Sequence, residues 1–594
     1  MVRKAAARVM SAKRRQTPET CRVVNLILSL IPRAPSLQLA SADSYEYGRG
    51  NVSPALPRIL IVGAGSRGNA YARAVSESGQ GIVAAIAEPI AFKRKLLGSK
   101  YIWGSKNSPS DGQEFEDWRA FLQWETNRRT DAAAGRQVPP GIDGIFICIL
   151  DEQHAEVITA LGHLAIHTLC EKPLATTLKD CLAISSAMSS QQGGQSAIFG
   201  IGHVLRYSPH NMLLRKLVLE DQIIGPILSM EHTEPVGNWH FSHSYVRCLF
   251  VEFSIRGNWR KESTTAPSLL TKSCHDIDFL LWMLCSPAPG TNHPPHVPAS
   301  VASFGSLKQF QQSRKPASAG TATNCLRCPI EKTCTYSAPR IYYNNQLAKG
   351  NTDWPVNIVN PEIEACYNDH GKEAAKEMLF KTLEIDYDES TSPEEIHKRP
   401  WFGRCVWESE NDVCDDQFVL LSWNDDPLPG TANAGLPCPD GNDPPARMAK
   451  TASFHMIAQT EKQCERRGRI YGEKGEISYD GTLITIYDFS TGQFQHHHPH
   501  RPGGGHGGGD YGLATQFLKA INAVKSKEMS IEEAQTTHLG CTLEEVIRSH
   551  ALVFAAEEAR LENKVVDWQQ WWDKLNVAAD ASTSETPHIN AQQS

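Results

Sequence analysis

A short apolar run at residues 58–62 (RILIV) passes without a gap into Gly63-Ala-Gly65-Ser66-Arg67-Gly68, and this join constrains the fold more than any other segment. A buried strand, a GxGxxG turn and a helix in immediate succession form the entrance to a doubly wound α/β sheet that binds a dinucleotide. The expected helix covers 69–78, with Ala70, Ala74 and Val75 on one face. A second strand, 81–87 (GIVAAIA), ends at Glu88, twenty residues beyond Gly68. Gly63 permits the tight turn, Gly65 lets the backbone approach a pyrophosphate, and Gly68 lets the helix pack close to the strand. The helix N-terminus then turns its free N–H groups toward the phosphates. Glu88 at a strand end suits the adenine ribose hydroxyls and favours NAD. Lys93, Arg94 and Lys95 follow closely enough to hold a 2′-phosphate, so NADP stays open.

Further unbroken apolar runs at 144–150 (GIFICIL), 167–170 (HTLC) and 197–204 (AIFGIGHV) alternate with a helical stretch at 154–162. Strands hydrophobic on both faces and separated by helices belong to a parallel sheet covered on both sides. Past about residue 206 the texture changes. Segments 452–460 and 468–479 alternate like strands, breaks rich in Pro, Gly and Ser fall at 286–298, 313–323 and 426–446, and a helix over 543–562 precedes Trp568, Trp571 and Trp572. The expected organisation is a disordered or targeting extension at 1–56 and a Rossmann domain at 57–206. A second α/β domain follows at 207–575, with loop-rich insertions near 286–400 and 426–446, and then a disordered tail at 576–594.

In 594 residues, 41% hydrophobic and 21% charged content is that of a globular chain and excludes collagen, coiled coil and wholesale disorder. The apolar run at 23–31 is too short for a bilayer, which takes about 20 residues, so a soluble protein with no membrane partner is expected. The formal charge of −7 is uneven: residues 1–35 hold eight basic residues against Glu19 alone, leaving −14 on the rest. A body that acidic repels phosphate backbones, which argues against nucleic acid. Sixteen scattered cysteines suit a reducing compartment, so a cytoplasmic location is expected. The basic, acid-poor start fits a mitochondrial transit peptide as well as a disordered extension or a misplaced start codon.

Glu171-Lys172-Pro173 ends a late strand of the first sheet, where ligands of such sheets bind. Lys272-Ser-Cys-His275-Asp276-Ile-Asp278 opens an apolar helix. Together with the glycine turn, Ala87-Glu88-Pro89 and a His154 that starts a helix, these motifs resemble the Gfo/Idh/MocA oxidoreductases (glucose–fructose oxidoreductase, inositol dehydrogenase and relatives). Gly202-His-Val-Leu-Arg206-Tyr and the run from Gly503 through His506 to Asp510 also look like segments of that family, and the resemblance spans roughly 57–575.

The resemblance implies a Rossmann domain followed by an α/β domain with a large open, mostly antiparallel sheet, a face often used for homo-oligomer contacts. Cofactor contacts would fall to Gly63, Gly65, Ser66, Arg67, Gly68, Glu88, His154, Glu171 and Lys172. It assigns Lys172 to orient and polarise the reacting hydroxyl and His275 to act as general acid/base. The chemistry is coherent on its own terms. Hydride leaves a carbinol carbon only as the hydroxyl proton is removed, imidazole titrates near neutral pH, and an ammonium stabilises the developing alkoxide.

Two departures stand out. Many polyol dehydrogenases of the family have Asp four residues before the histidine; here Thr271 stands there, followed by Lys272. Asp276 or Asp278 could supply the carboxylate instead, or serve only as helix N-terminal charges, while Lys272 could add a second cation. Residues 248–256 (CLFVEFSIR) separate pieces expected to be joined, as a real loop or a gene-model artefact. His240, His243 and Arg260 around it are candidate pocket residues or ordinary loop polars. His506 and Asp510 line a sugar site or belong to a glycine hinge.

Cys325-x-x-Cys328 with Cys334 can hold structural zinc if Cys405 or Cys414 supplies a fourth thiolate, and otherwise is three reduced thiols. The tract from His496 to His500 is expected to be a solvated loop. The function expected is an NAD(P)-dependent dehydrogenase acting on a sugar, cyclitol or related polyol. The alternatives are an NAD-dependent glycoside hydrolase with transient redox and a non-catalytic nucleotide or sugar sensor, which should lack Lys172.

Overall fold

The computed structural model describes residues 55–188, 197–247, 259–263, 265–287, 291, 293–398, 400–427, 446–502 and 505–575. Residues 1–54 and 576–594, which hold nearly all of the expected extension and tail, and the segment 248–256 lie outside the described residues.

Strands β1 (Arg58–Val62), β2 (Ile82–Ala87), β3 (Glu114–Phe115), β4 (Gly144–Ile147), β5 (His167–Cys170) and β6 (Phe199–Ile201) form one parallel sheet in the order β3-β2-β1-β4-β5-β6. The unbroken apolar runs are buried because both faces are covered. On one face α2 (Trp118–Ala133), α3 (His154–Leu161) and α4 (Leu178–Met188) pack Phe121, Val157, Ile158 and Ile184 against Leu60, Ile145 and Ile147. On the other, α1 (Ser66–Ser78) contributes Tyr71 and Val75 against Ile59, Ile61 and Phe146.

That second face is not finished by residue 206. A helix from the far end of the chain, Gly509–Lys525, lays Leu513, Ala514, Phe517, Leu518 and Ile521 onto the same core. Its apolar stripe at helical spacing faces that core. The chain therefore returns to its first sheet after building the second.

The second sheet has nine strands: β7 (Ile227–Pro235), β8 (Ser300–Ser306), β9 (Asp416–Trp423), β10 (Lys450–Ile457), β11 (Arg467–Gly472), β12 (Gly475–Tyr479), β13 (Ile484–Asp488), β14 (Phe494–His497) and β15 (Val566–Asp567). Their order is β14-β13-β12-β11-β7-β10-β9-β8-β15; β7 runs parallel to β10 and every other pair is antiparallel. Period-two alternation sets the faces. Val419, Leu421, Trp423, Ala452, Phe454 and Met456 point into the core, while Phe304, Phe418 and Leu420 point out and are exposed. The inward face is covered by Ser268–Leu284, a helix buried at every position, and by Leu543–Glu562, which starts in a capping box between Thr542 and Glu545. Within the expected insertion, Tyr342, Ile363, Leu379 and Leu383 form a small separate core.

Candidate active site

The glycine turn performs the steric roles its sequence requires. Gly63 has φ +96°, and a Cβ there would come 2.4 Å from the Cys148 carbonyl oxygen. A Cβ on Gly68 would sit 1.9 Å from the Gly63 oxygen, so only glycine lets α1 close on β1. Gly65 caps α1 with no side-chain hydrogen bond at the helix start, which suits a phosphate there. Glu88, buried at the end of β2, accepts Ala64 N–H on Oε2 at 2.7 Å and Ile90 N–H on Oε1 at 2.9 Å. These features fit a nicotinamide dinucleotide. Of the three basic residues after Glu88, Arg94 is turned inward, donating to the Glu88 carbonyl and to Glu114, so it is not available to a 2′-phosphate.

A cavity of about 580 Å³ opens at the C-terminal ends of the parallel strands and is shared with the second sheet. Cys148, Ile149, Glu171, Lys172 and Gly202 border it from the first domain, and Lys272, His275, Cys464, Arg466, Tyr479 and His506 from the second. Lys172 and His275 thus face one space. Lys172 Nζ donates to the Thr271 carbonyl at 2.5 Å and lies 5.4 Å from the centre of the Trp259 ring. Trp259 is held in turn by its Nε1–H donating to Asp151 at 2.8 Å. Thr271, four residues before His275, therefore meets the lysine through its backbone.

His275 is buried, and its Nε2 accepts from Arg466 Nη2 at 2.7 Å; Nδ1 has no partner. Burial lowers its pKa, the Arg466 charge adds to that against the pull of Asp276, and the imidazole is held well below its usual range. Arg466 also pairs with Asp276 at 2.7 Å and Glu234 at 2.9 Å. Burial alone would raise Asp276, but Arg466 holds it far below the usual carboxylate range. Lys272 Nζ lies 3.0 Å from Cys464 Sγ and 3.2 Å from Glu234. Burial opposes its charge, yet Cys464 and Glu234 raise its pKa. Lys272 and Arg466 thus stand in an ion-paired wall, with the buried carboxylates of Glu234 and Asp276 behind them.

Several expected site residues turn out to be supports. Arg206 and Asp278 form a bidentate pair at 2.7 and 2.8 Å, buried away from the cavity, with His203 3.0 Å from the same carboxylate. Neither can touch substrate, and Asp278 cannot partner His275. Asp276 lies 3.4 Å from His275 Nε2, but Arg466 occupies that nitrogen. His154, expected at the cofactor, is buried and places Nδ1 2.8 Å from the Pro173 carbonyl, fixing the loop after Lys172. Arg67 borders the cavity but directs its guanidinium to Glu171 and Asp510, each at 2.8 Å, and to the Tyr71 hydroxyl at 2.9 Å. Asp510 stands behind the cavity wall, 3.0 Å from Nδ1 of His506, which does face the cavity. His240 lines the cavity, whereas His243 is buried against Tyr342 and Phe402, and Arg260 is buried beyond the cavity lining.

Arg466, Glu234, Cys464, Trp259 and Tyr245 carried no legible signal in sequence. Arg466 stands in the polar run Glu465-Arg466-Arg467, which reads as surface. Among the described residues no helix is long and apolar enough to cross a membrane.

Residues 57–193 match the model of the Gfo/Idh/MocA family, described as an oxidoreductase family with an NAD-binding Rossmann fold. Over 147 residues the chain is 32% identical to a 1,5-anhydro-D-fructose reductase of Ensifer adhaerens, a match covering 24% of this chain and 38% of that protein. Over 225 residues it is 22% identical to an inositol 2-dehydrogenase of Salmonella typhimurium, covering 38% of this chain and 53% of that protein. The matches thus span from over a third to about half of those relatives' own lengths. Among solved structures, levoglucosan dehydrogenase in complex with NADH and levoglucosan superposes with a TM-score of 0.50 at 14% identity, over 86% of this chain and 99% of that one, a likeness of fold.

Proposed function

We propose, for a chain whose nucleotide-binding domain belongs to the Gfo/Idh/MocA oxidoreductase family, that it oxidises or reduces a carbinol carbon of a sugar, cyclitol or related polyol. The observation that carries this reading is the meeting of Lys172 and His275 in one cavity at the C-terminal ends of the parallel strands. The bound nicotinamide dinucleotide, NAD in preference to NADP, supplies the hydride acceptor or donor.

Lys172 exchanges its Thr271 carbonyl partner for the substrate hydroxyl and stabilises the oxygen as its proton leaves. His275, held neutral by burial and by Arg466, takes that proton on Nε2 once Arg466 withdraws onto Glu234 and Asp276. Lys272 and Arg466, beside Glu465 and Asp480 on the cavity lining, offer hydrogen-bond donors and acceptors that suit a polyhydroxylated substrate. The exposed Phe304, Phe418 and Leu420 on the open face of the second sheet support a homo-oligomer built through that face.

The test is nicotinamide absorbance with NAD⁺ or NADP⁺ and a panel of inositols, aldoses, anhydrosugars and glycosides, with Lys172→Met alongside. Substrate-dependent reduction that disappears in Lys172→Met is expected. Release of sugar from a glycoside with no net reduction would overturn the dehydrogenase in favour of a redox-neutral hydrolase.

A further inference from the structure

Behind His275 runs a line of buried side chains, Arg466, Asp276, His232 and Tyr479, of which the first two already take part in its proton transfer. His232 on β7 and Tyr479 on β12 flank β11, so their backbones stand two strands, about 10 Å, apart. Both are in register with Gly468 of β11, and by the pleat all three share the inward face. Gly468 keeps the gap between them open: a Cβ there would fall 2.3 Å from the Tyr479 hydroxyl and 2.1 Å from the Glu231 carbonyl oxygen. Across that gap the Tyr479 hydroxyl meets His232 Nδ1 at 2.8 Å. His232 Nε2 in turn reaches Asp276 Oδ1 at 3.1 Å, on the covering helix Ser268–Leu284. Phe279, Phe454 and Tyr479 box the imidazole, with ring centres 5.0, 5.9 and 6.0 Å away, and fix its plane.

The direction of the bonds follows from the groups at the two ends. Burial, with Asp276 nearby, keeps the Tyr479 phenol protonated, so it donates to Nδ1. The ring hydrogen then sits on Nε2 and is donated to Asp276, a carboxylate that burial opposes but Arg466 keeps ionised. Asp276 Oδ1 thus receives two donors, Arg466 Nε at 2.7 Å and His232 Nε2, while Oδ2 lies 3.4 Å from His275 Nε2. With Oδ1 held twice, the carboxylate cannot turn Oδ2 closer to the imidazole.

That restraint matters because of what faces His275. Arg466 stands before β11, Lys172 follows β5, and the His506 ring lies 6.0 Å away. Burial, Arg466 and Lys172 oppose protonation of the imidazole, and Asp276 favours it. The placing of one carboxylate therefore sets where this group titrates.

We propose that His232 and Tyr479 are positioning residues for His275. They lock Asp276 onto Arg466, so that the carboxylate receives the guanidinium when the imidazole takes a proton and does not itself capture the imidazolium. The inference rests on the reading of His275 as the base.

The experiment is the pH profile of kcat/KM for the full chain, for His232→Leu, His232→Gln and Tyr479→Phe, and for Arg466→Gln as a control. In His232→Leu the acid limb should move up by about one pH unit, the low end for a carboxylate brought against a cation. His232→Gln, whose amide offers one acceptor and one donor in place of the two ring nitrogens, should return the limb toward its parent position. Tyr479→Phe frees the ring hydrogen to move to Nδ1 and should shift the limb in the same direction as His232→Leu. A role in packing alone would lower stability and move no limb. If Arg466→Gln shifts the limb and His232→Leu does not, the positioning role is overturned while the base stands; if neither shifts it, both fall. Neutron diffraction from crystals of the unmodified chain decides the bond directions without any variant having to fold. Hydrogen on His232 Nε2, with the Tyr479 hydroxyl hydrogen aimed at Nδ1, is expected; hydrogen on Nδ1 would overturn the chain.

Discussion

Arg466 donates from Nη2 to Nε2 of His275 at 2.7 Å, which puts the imidazole hydrogen on Nδ1. The guanidinium cannot accept a proton, and its charge next to a buried ring opposes protonation. His275 is therefore neutral, and competent as a base, well below pH 6.5.

The sign of the resulting pH dependence follows from the depressed pKa. Oxidation holds up as pH falls through 6.5 and declines only as the depressed pKa is reached. Arg466→Gln removes a charge that lowers the histidine, so the acid limb of kcat/KM should move to higher pH. Profiles of the two proteins between pH 4.5 and 9 check this; an acid limb that stays in place would remove His275 as the titrating base.

Lys172 is tied to the rest of the protein by one hydrogen bond to a backbone carbonyl and by the Trp259 ring, so replacing it leaves the core intact. Lys172→Met should lower kcat by about 10²–10³-fold, the range for losing a donor aimed at a developing oxyanion. Thermal unfolding should stay close to that of the parent chain. A loss confined to KM would mean that the lysine binds the ground state and the transition state equally.

Glu88 serves the turn as well as the cofactor, because its two oxygens hold Ala64 N–H and Ile90 N–H. Glu88→Ser should shift the ratio of kcat/KM for NAD over NADP at least tenfold toward NADP. Loss of a charged acceptor from two backbone donors should also lower stability by about 2 kcal/mol. Coenzyme titrations and thermal melts separate the two effects.

What could be read in the sequence was local. The strand, glycine turn, helix and terminal acid around Gly63 and Glu88 each follow from residues within one supersecondary unit, and so does the lysine at the strand end in Glu171-Lys172-Pro173. What could not be read was pairing over distance. Arg206 and Asp278 look like site residues because they sit in family-like motifs, yet they neutralise each other in the core. Arg466 looks like surface and becomes the partner of His275. Cys405 and Cys414 are indistinguishable by spacing, and a two-residue backbone bridge at Asn324 and Arg404 puts Cys405 beside Cys325. The helix Gly509–Lys525 shows its apolar stripe in sequence, but nothing there says which sheet it covers.

The clasp made by Arg67 joins three parts of the chain that sequence keeps apart: the start of α1, Glu171 at the end of β5, and Asp510 at the start of the returning helix. Burial would raise the Asp510 pKa, but Arg67 and His506 hold it far below the usual carboxylate range. A carboxylate depressed in the fold stabilises the protein above its unfolded value of about 4, and that contribution is lost as pH falls toward the folded value. Asp510→Ala removes one partner of a largely buried pair and should destabilise by about 3 kcal/mol, the low end for such a loss because Arg67 keeps Glu171 and is partly solvated. The same substitution should flatten the decline in stability between pH 5 and pH 3, measured by chemical denaturation. It also frees Arg67 toward the cavity. If Arg67 only positions Glu171 and the returning helix, coenzyme affinity should weaken together with stability in Asp510→Ala and be restored by Asp510→Glu. Tighter coenzyme binding in Asp510→Ala would instead make Arg67 a direct phosphate ligand held in reserve by Asp510.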